Sequence, residues 1–187
     1  MARKVQNFPR FVSFAELKLN RDLRVGGMET SATLTTAIDG SVALPTGYLE
    51  MREVKDASGR VLEASAVTGA DWQHGPYSGT PLTYYIKGST FYAIPTAAAT
   101  FSIVYYTKIT PLTAVNDTNW LLTDAPLLYL YSVLVEVLGW AVAGGKEDMA
   151  KVQAASALRQ NELQQYLMQD SRKRYSNSRI TSRGVNP

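Results

Sequence analysis

Asp71, His74 and Ser78 fall within eight residues of one another. They are the residue types of an acid–base–nucleophile relay, in which a carboxylate orients an imidazole that activates a hydroxyl. Their placement argues against that chemistry, because a relay gathers side chains from separate elements and these three share one Gly-Pro loop. His74 reads as a loop residue. Gly144-Gly145-Lys146-Glu147 lacks both the spacing and the Ser/Thr of a phosphate-binding loop. The scattered acids offer no pair that spacing singles out for glycoside hydrolysis. With no cysteine and one histidine, a thiol nucleophile, a disulfide, a Cys-ligated zinc and a multi-histidine metal site are all excluded. No catalytic residue, metal ligand or cofactor is expected, and the chain does not read as an enzyme.

Composition places the chain among globular proteins. Its 187 residues are 45% hydrophobic and 19% charged, enough for one domain of ordinary size or two small ones. At about 1.5–3 kcal/mol per buried large apolar side chain, roughly twenty such residues offset most of the backbone entropy. The first residues, Met-Ala-Arg-Lys and then Val5 to Pro9, show no apolar core of a signal peptide. Charge is unevenly spread. Residues 171–187 carry Arg172, Lys173, Arg174, Arg179 and Arg183 and no acid, so the net charge of +3 divides into a mildly acidic body and a basic tail. With only Tyr175, Ile180 and Val185 as apolar anchors, the tail reads as a solvated terminus or an arm that orders on an acidic partner.

Residues 8–24 show apolar spacing of three and four through Phe8, Phe11, Val12, Ala15, Leu19 and Leu23, which predicts a helix capped by Asn7 and ended by Gly26-Gly27. Its other face carries Arg10, Glu16, Lys18 and Arg21. From 28 to 108 the helical spacing gives way to short β-rich runs between turn signals. Asp39-Gly40 predicts a hairpin of 35–38 with 41–44. Further strands are expected from Tyr48 to Val54, Val61 to Ala64, Leu82 to Ile86, Thr90 to Ile94 and Thr100 to Tyr106, together a small antiparallel sandwich or barrel. Tyr84-Tyr85, Tyr105-Tyr106 and the Tyr129/Tyr131 pair read as amphipathic core or interface residues, with a stacking platform as the alternative.

After a connector with an apolar plug at Trp120-Leu121-Leu122, residues 126–143 predict a helix that Thr123 or Asp124 caps. It is apolar almost all round, so it reads as a central helix covered on every side, with Glu136 needing a partner. The run is shorter than the about 20 apolar residues of a membrane span, carries Glu136 near its middle and is stopped by Gly144-Gly145, so a buried helix is the better reading. A third helix is expected over 146–170, with Val152, Ala155, Leu163, Tyr166 and Leu167 inward. The fold class is α+β: a discontinuous three-helix bundle (7–25 and 120–170), interrupted by an inserted β domain (28–110) and followed by an extended basic C-terminal arm (171–187).

One stretch is specific. Val104-Tyr105-Tyr106-Thr107-Lys108-Ile109 with Leu112, then Asp117-Thr118-Asn119-Trp120-Leu121-Leu122-Thr123-Asp124-Ala125-Pro126 and Leu128-Tyr129-Leu130-Tyr131 with Glu136, resembles the head-to-tail adaptors, or connectors, of tailed bacteriophages. Leu44-Pro45 before Tyr48-Leu49-Glu50, Gly79-Thr80-Pro81 before Tyr84-Tyr85-Ile86, and Ile94-Pro95 fall in the same order as that family's motifs. The resemblance implies a structural virion protein of the neck, assembled in the host cytoplasm into a homo-oligomeric ring, commonly a dodecamer. The ring would dock on the portal, extend the DNA channel with non-specific contact to genomic DNA, and present a platform for the next tail or nozzle protein, with no membrane involved. It implies a portal-binding arm carrying Arg172, Lys173, Arg174, Tyr175, Arg179, Ile180 and Arg183. It also implies subunit or portal packing through Phe8, Phe11, Asn119, Trp120, Tyr129, Tyr131 and Tyr166. Two other readings compete: a nucleic-acid-binding module gripping phosphates with the basic tail, and a carbohydrate-binding tail component using Trp72, Tyr84 or Tyr92.

Overall fold

Local sequence signals set most element boundaries. The structure, a computed structural model, describes residues 7–65 and 79–175. The chain divides into two compact units, Met1–Gly27 with Ile109–Pro187, and Met28–Lys108.

In the first unit, α1 (Phe8–Asp22) places Phe11, Val12, Ala15, Glu16 and Leu19 on its buried side. Phe8 stays exposed. Asn7 occupies the cap position, but its side chain makes no cap bond. The helix stops at Leu23, whose extended backbone donates to the Leu19 carbonyl at 2.9 Å. The stop comes before Gly26-Gly27 because Leu23 and Val25 both turn fully inward. A short helix, α2 (Trp120–Asp124), occupies the predicted plug, capped by Asn119, whose side chain accepts the Leu122 amide. The main apolar helix, α3 (Pro126–Ala143), begins at Ala125 with no side-chain cap, so neither Thr123 nor Asp124 caps it. Gly144 ends it, and the longest helix, α4 (Met149–Tyr175), runs back after the turn. α3 touches α1, α2 and α4.

The expectation that α3 is covered on every side is overturned. Leu128, Tyr129, Ser132 and Val133 are buried, whereas Leu127 is 48% and Leu130 56% exposed. By length and a mean hydropathy of 1.6, α3 equals a short membrane span. Glu136 has the partner it requires in Lys18, at 2.6 Å. The predicted end of the third helix is also corrected, since α4 continues to Tyr175.

The second unit holds seven strands among the described residues: β1 (Glu29–Thr35), β2 (Ser41–Ala43), β3 (Tyr48–Asp56), β4 (Glu63–Ala64), β5 (Thr83–Lys87), β6 (Thr90–Ile94) and β7 (Thr100–Thr107). They form two open sheets, ordered β1-β7-β3 and β2-β6-β5-β4, and no closed barrel. The antiparallel expectation fails at one pair, β4 and β5, which run parallel. The Asp39-Gly40 hairpin also fails. The turn forms locally, with Asp39 accepting the Ser41 amide at 3.0 Å, but β1 and β2 enter different sheets. Each has a better partner elsewhere: β1 pairs with β7 from Glu29↔Tyr106 to Thr35↔Thr100, a far longer ladder than a three-residue strand offers. Buried Thr36 fixes the departure by donating its hydroxyl to the Ala97 carbonyl at 2.7 Å. Gly40, at φ 76°, must be glycine, since a Cβ there would stand 2.9 Å from the Ala93 carbonyl. Leu34, Val54, Phe101, Ile103 and Tyr105 from one sheet share a core cluster with Tyr84, Phe91 and Ala93 from the other. Tyr85 and Tyr92 are cross-strand partners whose rings stack at 4.8 Å.

Candidate functional site

The helical unit is organised around an acid that the sequence assigned to the polar face. Glu16 is only 5% exposed, because its position continues the inward spacing of Val12 and Leu19. Its Oε1 accepts the Leu112 amide at 2.7 Å and the Tyr129 hydroxyl at 2.5 Å. Burial pushes the Tyr129 phenol well above its ordinary range, and its bond to the Glu16 carboxylate pushes it further the same way. The connector is tied down beside this point. Asn20 accepts the Ile109 amide at 2.8 Å, and Asn119 donates to the Thr110 carbonyl at 3.0 Å.

The packing residues named from sequence divide into two groups. Phe11, Asn119, Tyr129 and Tyr166 are buried within the one chain, Phe11 with its ring centre 5.8 Å from that of Trp140. Trp120 is half-buried against Gly27, where a Cβ would lie 2.7 Å from the indole, so this glycine is required for the approach. Phe8 remains outward and Tyr131 half-buried. Sequence reasoning missed Phe14 and Leu17, which are 49% and 60% exposed on the outer side of α1. Their spacing with Arg10 and Arg21 is visible in the sequence, but two apolar residues between cations read as part of a solvated face.

The first cations of the basic segment are helical. Arg172, Lys173 and Arg174 fill the last turn of α4, where positive charge favours the helix C-terminus. Arg174 pairs with Asp170 at 2.7 Å, and Asp170 in turn accepts the Gly26 amide at 2.9 Å. Lys173 lies 4.0 Å from Asp124. Arg172 is exposed and borders a groove of about 470 Å³ with Asp124, Pro126, Leu127, Glu162 and Met168. Tyr166 lies alongside, its phenol pushed up to about 12 by burial first and by Asp124 and Asp170 next. Arg179, Ile180 and Arg183, like Asp71, Trp72, His74 and Ser78, lie outside the described residues. Among the described residues no group of acids and imidazoles is arranged to hold a metal ion.

What this unit presents outward is therefore apolar helix surface and a cationic helix end. A family model described as SU10 adaptor protein matches residues 3–183. The chain belongs to that family, which identifies it as a phage adaptor: a virion component with a structural, non-enzymatic role that meets portal and tail proteins. A search of the curated proteins finds no match.

Proposed function

We propose that this adaptor is the repeating subunit of a ring, a dodecamer as in the connectors it resembles, that docks beneath the portal. There it extends the DNA channel and offers a platform to the next tail or nozzle protein. In this reading the helices form a bundle interrupted by a β-sandwich, with the insertion at 28–110 and the bundle at 7–25 and from 120 to the end of α4 at Tyr175. The basic segment 171–187, which begins as the last turn of α4, is the portal-binding arm, and assembly takes place in the host cytoplasm. Channel-side contact with genomic DNA is non-specific.

The observation that carries the proposal is the family match across almost the whole chain. The partly uncovered α3 supports it, with Leu127 and Leu130 about half exposed, because exposed apolar surface marks an interaction site. Mass measurement of the purified protein, alone and mixed with its portal, is the test. A ring, or a portal complex with a fixed number of adaptor copies, is the expected outcome. A monomer that never joins the portal overturns the proposal.

A further inference from the structure

Among the described residues the two sheets of the second unit end on β1, β3, β2 and β4. An unguarded edge strand offers its unpaired N–H and C=O groups to any other strand. β2 and β4 are too short to do so, at three and two residues. β3 is interrupted by register shifts between Tyr48 and Glu50 and between Met51 and Glu53, and it carries Arg52 and Lys55. Its far end is covered by the returning chain, where Val54 accepts the Leu62 amide at 2.9 Å. β1 has none of these devices. It is seven residues long, pairs with β7 without a register shift, and after Glu29 holds neither a charge nor a proline.

Hydrogen-bond parity identifies the open backbone groups of β1. Successive residues of a strand turn their N–H and C=O alternately to one neighbour and to the other. Thr36, one step beyond the Thr35↔Thr100 pair, donates its amide to the Ala99 carbonyl at 2.9 Å. On the other side of β7, Lys108 donates to the Gly47 carbonyl at 2.8 Å. Both bonds set the same parity: Phe101, Ile103 and Tyr105 of β7 bond to Leu34, Ala32 and Thr30 of β1. Ser31, Thr33 and Thr35 therefore turn their N–H and C=O to the open edge. Side chains alternate in step. Ala32 and Leu34 face the core cluster, and Ser31, Thr33 and Thr35 are exposed.

We infer that this edge takes β1 of a second copy of the chain, antiparallel about a two-fold axis at Thr33. Open groups at strand spacing select an extended backbone as their partner, and in this register β1 is complementary to itself. Thr33 meets Thr33 and Ser31 meets Thr35 as hydrogen-bonded pairs on the outer face, a favourable pairing of hydroxyls. Between them Ala32 meets Leu34, small against large, on the face that continues the core. No like charges stand opposite each other: Glu29 lies beyond the paired residues, held by Arg52 of its own chain at 3.0 Å. A slip of one residue sets open amides against closed ones and hydroxyls against Leu34. The same patch serves both copies, so the contact closes at two. It cannot recur around a single ring axis. It thus goes beyond the ring reading and joins subunits outside the ring.

The chain has no cysteine, so an introduced thiol reports the contact without background. Hydrogen-bonded antiparallel partners sit about 5.5 Å apart at Cα, within the about 4.4–6.8 Å that a disulfide spans. Full-chain Thr33→Cys, oxidised with copper phenanthroline, is expected to give a covalent dimer at least about tenfold faster than Ser102→Cys, which pairs with Thr33 one strand further in. Sedimentation of the unoxidised protein without portal supplies the second measurement. Thr33→Lys and Thr33→Glu are each expected to raise the dimer dissociation constant at least about tenfold, since like charges then meet at the axis. Mixing the two variants is expected to restore the dimer. Equal rates for the two thiols overturn the inference, as does wild-type protein that sediments only as a monomer. Charge variants that dimerise as wild type does, or a mixture that fails to recover, overturn it too. A portal complex of fixed copy number formed by Thr33→Lys leaves the ring reading standing in every one of those cases. Dimers that never join the portal overturn the ring reading alone.

Discussion

Tyr129 donates its phenolic hydrogen to Glu16 across 2.5 Å, joining α3 to α1 at a point where Glu16 also holds the Leu112 amide of the connector. One carboxylate thus serves three segments that are far apart in sequence. A buried carboxylate needs such donors, because an ion removed from water without them is costly.

Glu16→Ala removes the acceptor from two donors at once, one of them a buried hydroxyl. The expected loss of stability is about 2–4 kcal/mol, a donor left unsatisfied costing about 1–3 kcal/mol. Tyr129→Phe leaves the carboxylate its amide partner and costs less, about 1.5–3 kcal/mol for a bond to a charged group. Urea unfolding of both variants checks the order; Tyr129→Phe proving the more damaging would mean that Glu16 is held mainly by other contacts.

Gly27→Ala drives a methyl group to 2.7 Å from the Trp120 ring. Overpacking of this kind costs about 1–3 kcal/mol. Trp120→Leu vacates the space, so the two substitutions together should cost less than the sum of each alone. Additive losses in a double-mutant cycle would show that the approach of Gly27 to the indole is not constraining.

Where composition and position agreed, the sequence was legible. Pro126 at the start and Gly144 at the end bounded α3 to the residue. Which side of α3 the chain covers was not legible, because a helix apolar all round has no moment to point with. Glu16 was misread for the opposite reason: its charge suggested solvent while its spacing with Val12 and Leu19 placed it inward. The Ser-Arg-Lys-Arg run looked like tail by composition alone, yet Asp170 and Arg174, one helical turn apart, carry α4 through it to Tyr175. Asp39-Gly40 did make a turn, but pairing of β1 and β2 was decided by distant strands that no local signal announces.

The cations at the end of α4 have two kinds of duty, and substitution separates them. Arg174 is largely covered and belongs to the Asp170–Gly26 latch. Arg174→Ala should therefore destabilise the fold, by about 1–3 kcal/mol for a charged hydrogen bond left unmade. Arg172 is exposed at the groove, and Arg172→Ala should change stability by less than about 0.5 kcal/mol. If the basic segment is the portal-binding arm, Arg172→Glu weakens portal binding while thermal unfolding stays put. Equal stability losses for Arg172→Ala and Arg174→Ala would contradict this division.

Alkaline pH addresses the two buried phenols. The Tyr166 phenol is pushed up to about 12 in the folded protein, and that of Tyr129 is raised by the same kind of burial beside an acid. An unfolded tyrosine loses its proton near pH ~10. Between those values the unfolded chain releases a proton that the folded chain retains, so stability must fall as pH rises. The stabilising contribution is complete below pH ~10 and is lost progressively toward the folded value, with a slope of up to about 1.4 kcal/mol per pH unit for each phenol. Tyr166→Phe should flatten the decline by about one phenol's share and Tyr129→Phe by another. Urea unfolding at intervals between about pH 9 and pH 11.5, followed beside phenolate absorbance, measures it. Wild type and Tyr166→Phe declining in parallel would mean that the phenol beside Asp124 titrates as it does in the unfolded chain.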